Sequence, residues 1–114
     1  MTTPAADARL WYAQRLSAMV LALCVAAHLV LIVAATHAGL TAAALLGRTR
    51  GSAPFAVFYG VFVVACAIHA PIGLRNVAAE WLRWRGHAAD AVWIAAAALV
   101  LVAGGRAVYA VVAP

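Results

Sequence analysis

The sequence predicts an all-α integral membrane protein with three transmembrane helices, and three observations carry that expectation. Apolar residues make up 68% of the 114-residue chain and charged residues 10%, against roughly 45–50% apolar in soluble domains. The apolar residues gather into three runs, residues 16–36, 54–74 and 91–112, each close to the ~20 residues that cross a ~30 Å hydrocarbon core. Mean hydropathy is +1.02, and a soluble domain of this size hides only about 60% of its chain surface. Lipid is the solvent this composition requires, and residues 1–114 make one transmembrane domain.

The first run is too long for a signal-peptide core of roughly 7–15 residues. Asp7, Arg9, Arg15 and the aromatic pair Trp11–Tyr12 precede it, so a retained first helix is expected. Backbone groups left unpaired in lipid are prohibitively costly, which makes an α-helix the form for each run. Between the first two runs, Gly39, Gly47 and Gly51 break the chain ahead of Pro54; residues 41–46 suit a short interfacial helix. Between the second and third lie Arg75, Arg83 and Arg85 with the interface-type residues Trp81 and Trp84.

The net charge is +5 and the pI about 10.3. In a soluble protein that balance would suggest nucleic acid. Here the arginines flank membrane spans, so membrane lipid is the expected partner and nucleic acid is not. Arg9, Arg15, Arg75, Arg83 and Arg85 fall on one side, Arg48 and Arg50 on the other. The bias places the N-terminus and the second loop in the cytoplasm. Cys24 and Cys66 both sit in apolar runs with no CxxC spacing, which indicates small packing residues rather than a zinc or thiol-redox site.

Three polar residues lie deep enough in the spans to require a reason: His28, His69 and Arg106. A histidine can simply bond a neighbouring helix carbonyl. Two of them in so short a chain, with no carboxylate in the spans to complete a proton relay, point instead to haem ligation. Ser17, Leu21, Cys24 and His28 share one helical stripe, as do Phe62, Cys66, His69, Gly73, Asn76 and Glu80 if the second helix continues. Gly73 leaves space one turn from His69, for a flat macrocycle or for a close helix contact. From the helical rise, His28 and His69 differ in depth by about 10 Å. Two ligands of one iron approach it to ~2 Å from opposite faces, so these two serve different haems, each with an imidazole from another chain.

The run Gln14-Arg15-Leu16-Ser17, with His28 thirteen residues after the arginine, resembles the first-helix motif of cytochrome b membrane anchors in succinate:quinone oxidoreductases. These are the succinate dehydrogenases and fumarate reductases. The stretch His69-Ala-Pro-Ile-Gly73-Leu-Arg75-Asn-Val-Ala-Ala-Glu80-Trp81 resembles the family's second-helix motif. With the three-helix layout, the resemblance spans most of the chain.

The resemblance implies a multi-pass subunit of the bacterial inner membrane that docks a flavoprotein and an iron–sulfur subunit. It would pass electrons to quinone beside haem b, one or two haems being shared with a second anchor chain or a second copy. His69 is similar to the ligand of the inner haem and His28 to that of the outer one. Arg15, Ser17, Glu80 and Trp81 match quinone-pocket positions, Arg75 a propionate or quinone contact, and Arg106 either pairs with an outer propionate or snorkels. The chain departs from the pattern where Trp81 replaces a tyrosine, Gln14 a histidine and Trp11 a serine. His37 and His87 lie at membrane edges as solvated residues. The competing expectations are a haem-free docking anchor and a small transporter, the latter opposed by the lack of an acid inside a span.

Overall fold

A computed structural model describes residues 3–114, and every regular element in it is helical: α1 Pro4–Ala38, α2 Ala42–Thr49, α3 Ala53–Trp81 and α4 His87–Val112. α1, α3 and α4 are long and apolar enough to cross a membrane. Each of the three exceeds its apolar run. α1 starts well before residue 16 because Thr3 accepts the Ala6 N–H at 3.1 Å and Pro4 takes the first turn, where its missing N–H costs nothing. Ser52 and Pro54 start α3 in the same way, with the Phe55 N–H 3.4 Å from Ser52 Oγ.

α3 is the central helix and packs on both α1 and α4. Its far end runs past residue 74 to Trp81 and closes with the Trp84 N–H donating to the Ala78 carbonyl at 3.2 Å. That six-residue link puts Arg83 at φ 54, the left-handed position usually given to glycine. Pro71 sits within α3 without ending it; it has no N–H to offer the Ala67 carbonyl.

The seam between α1 and α3 uses the stripe read from the sequence. Ser17 and Cys24 are buried on α1, with Leu21 and His28 half-buried between and beyond them. α4 approaches α3 closely at Gly104, where a β-carbon would meet Val63 Cγ1 at 2.6 Å. Helices in lipid gain little from the hydrophobic effect against one another, so such small-residue contacts supply much of their attraction. Gly104→Ala is expected to lower stability by about 1–3 kcal/mol through overpacking. Gly105→Ala, with no atom within 4 Å, should stay within about 0.5 kcal/mol of the parent. Unfolding of the two variants in detergent measures both.

α2 lies across the opposite end. Thr49 Oγ1 donates to the Val111 carbonyl at 2.6 Å and the Gly51 N–H to the Val112 carbonyl at 2.8 Å. These bonds satisfy carbonyls at the end of α4 that have no partner within their own helix. Arg48 Nη2 donates to the Gly39 carbonyl at 2.8 Å, doing the same for α1. α2 is therefore tied to the ends of two spanning helices.

Candidate functional site

His69 and His28 have different surroundings. His69 Nδ1 is buried and has no hydrogen-bond partner among the described residues. His28 Nδ1 is 3.3 Å from the Tyr59 hydroxyl, and its ring meets Tyr59 and Phe62 edge-on at 5.7 and 5.8 Å. These contacts put His28 level with the 59–62 turn of α3. His69 is seven residues beyond Phe62 and ten beyond Tyr59, which is about 10–15 Å along the axis. Antiparallel packing thus separates the two imidazoles by several turns.

The space beside Gly73 is occupied from within the chain. A β-carbon at 73 would lie 3.2 Å from Gln14 Nε2, and Gln14 Oε1 is buried without a partner. Gly73 serves the close approach of α1 to α3. An imidazole is the donor type that a haem site would use. Neutral imidazole is a haem ligand, and a ligating ring uses one nitrogen for iron and the other for a hydrogen bond. His69 Nδ1 is the histidine nitrogen buried without a partner among the described residues. His28 can offer iron only Nε2, because Tyr59 engages the other nitrogen.

At the end formed by the start of α1, the end of α3 and the start of α4, a cavity of about 390 Å³ is lined by Asp7, Arg75, Asn76, Glu80, Arg85 and Asp90, with Trp84 at its wall. All three carboxylates of the chain border it. Arg75 Nε donates to Asp90 Oδ1 at 3.2 Å, joining α3 to α4. The two side chains are 25% and 35% exposed, so the pair contributes roughly 0–1 kcal/mol to stability. A second cavity of about 380 Å³ adjoins the first and shares Arg75 and Asp90; its other walls include Ala67, Pro71, Trp93 and Ile94. Trp93 Nε1 is buried without a partner among the described residues, its ring edge-on to Trp84 at 5.6 Å.

The residues expected at a quinone pocket have separate surroundings. Glu80 lines the polar cavity. Arg15 is exposed, its guanidinium 5.0 Å over the Trp11 ring. Ser17 is buried, and its hydroxyl donates to the Gln14 carbonyl of its own helix at 3.0 Å. Trp81 is 81% exposed. Arg106 is exposed on α4 and does not line the cavity that contains His28. Sequence reasoning missed Tyr59, Trp93 and the pairing of Arg75 with Asp90. For the last a signal existed: the loop at 82–86 folds α3 and α4 into a hairpin, bringing an arginine before it toward an acid after it.

These features define a class: a small three-span membrane protein with charged groups gathered at one end and histidines within its helices. Residues 1–105 match the model of the succinate dehydrogenase/fumarate reductase transmembrane subunit, and the chain belongs to that family. Neither a curated protein nor a solved structure matches it.

Proposed function

We propose that this chain is a haem b-bearing anchor that passes electrons between an iron–sulfur subunit and membrane quinone. Family membership supports the anchor role, and His69 carries the haem assignment: its Nε2 would take the iron, and its buried Nδ1, unpartnered among the described residues, would donate a hydrogen bond to another chain. Haem supplies one-electron transfer when bound. His69 would hold its iron, and a second imidazole would have to come from another membrane chain or a second copy, because His28 stands too far along the bundle. The flavoprotein and iron–sulfur subunits dock where Asp7, Glu80 and Arg85 gather. Oxidised and reduced absorption spectra of the purified complex test this reading. A low-spin b-type spectrum supports it, and a colourless anchor would defeat it.

His28 has two readings. As an outer ligand it would offer Nε2 to a different iron, with Tyr59 fixing its tautomer. As an interhelical residue it needs nothing beyond Tyr59, and the observed bond accords with both readings. The quinone site we propose is the paired cavity around Arg75 and Asp90. Its polar half suits the head group, to whose carbonyl the Trp93 N–H would donate, and its apolar half suits the start of the isoprenoid tail.

The proposed orientation is N-terminus inside a bacterial cytoplasmic membrane, from the arginine bias. A periplasmic reporter fused after Pro114 is expected to be active and one inserted near Arg85 silent. The reverse pattern would overturn the orientation.

A further inference from the structure

We infer that the cavity under α2 holds an acyl chain of a phospholipid whose anionic headgroup sits at Arg48. The cavity measures about 570 Å³ and is walled by aliphatic residues of all four helices, among them Leu31, Leu46, Val63 and Val108. Polar groups on its walls already have partners. His28 Nδ1 and Tyr59 Oη bond each other, and Thr49 Oγ1 donates to the Val111 carbonyl. Arg48 is the charged residue among those lining it. One guanidinium N–H caps α1 through Gly39, out of the five that arginine carries.

Length and charge both select this occupant. Gly39, which Arg48 touches, lies eleven residues beyond His28, about 16 Å along α1. One leaflet's share of a ~30 Å hydrocarbon core is close to that value. The cavity thus runs from the interface to mid-membrane, the reach of an acyl chain. A macrocycle is a poorer match, since its propionates sit near its iron and His28 is distant from Arg48. Charge adds to this: the α2 end carries Arg48 and Arg50, while Asp7, Glu80 and Asp90 all lie at the other end. An anionic headgroup would neutralise a positive edge that has no aspartate or glutamate beside it among the described residues.

The test uses the whole complex in nanodiscs of phosphatidylcholine with phosphatidylglycerol, released into native mass spectrometry to count retained lipids. Wild type is expected to retain phosphatidylglycerol over phosphatidylcholine. Arg48→Gln should cut that retention about tenfold, the scale of losing one charge-assisted hydrogen bond. Arg48→Lys should keep most of it. Ala107→Leu, which fills the cavity and keeps the charge, should lose the lipid as well. If Arg48→Gln fails to assemble, the wild-type preference and Ala107→Leu still decide. Equal retention of the two lipids, or retention unchanged by Ala107→Leu, overturns the inference. So does a haem component that disappears with His28→Ala, which would make this cavity a haem pocket. Loss of haem at His69 alone leaves the inference standing, so the two proposals fail separately.

Discussion

His69→Ala is expected to remove the low-spin b-type spectrum from the assembled complex, or convert it to a high-spin form. A six-coordinate haem that loses one of its imidazoles opens a position on the iron or leaves the site. His28→Ala is expected to leave that same spectral component in place, because His28 is level with the 59–62 turn of α3 and about 10–15 Å from the His69 level. Its cost is a lost Tyr59 partner, about 1–3 kcal/mol if the hydroxyl stays buried and unbonded. Tyr59→Phe separates the two readings of His28. An outer haem would respond through its potential and spectrum, whereas an interhelical bond would change stability alone. If His28→Ala and His69→Ala abolish one common component, both bind the same iron and the register of α1 on α3 differs from the one described.

How much of this could be read from residues alone differs from one feature to the next. The spans were legible because uniform apolar runs of membrane length have one solution in lipid. Their true ends were less so. α1 begins at Pro4 and α3 ends at Trp81, since helices continue through charged residues once they leave the hydrocarbon and no breaker intervenes. The Thr3–Pro4 cap was a readable signal for the first of these. Rotation and partner choice were the illegible part. A helix apolar nearly all round carries no period to say which face packs inward. The stripe through Ser17, Cys24 and His28 was visible as spacing, but spacing cannot distinguish a cofactor face from a helix seam. The structure uses it against α3. Contacts that join distant positions, such as His28 with Tyr59 or Gln14 with Gly73, depend on the register of two helices and leave no mark on either sequence. The same limit explains the quinone pocket. Motif positions Arg15, Ser17, Glu80 and Trp81 came from the family resemblance, which names positions and not the surroundings that each side chain meets.

Those surroundings give the second large effect. Trp93→Phe is expected to raise the quinone KM of the assembled complex roughly tenfold, the scale of one hydrogen bond in a site that excludes water. Phenylalanine keeps the packing on Trp84 and removes only the indole N–H, which is unbonded among the described residues. Arg75→Gln should act more strongly, on both KM and kcat, because the guanidinium borders both halves of the cavity. Artificial-dye reduction by the soluble subunits should persist in both variants; a parallel fall would mean failed assembly. Arg15→Ala is the decisive comparison. Its side chain lies over Trp11, outside the paired cavity, so quinone reduction should fall less than threefold, under about 0.7 kcal/mol. A large loss at Arg15 with little change at Trp93 and Arg75 would instead locate the quinone by the first-helix motif. The charged end of the bundle would then serve docking of the soluble subunits alone.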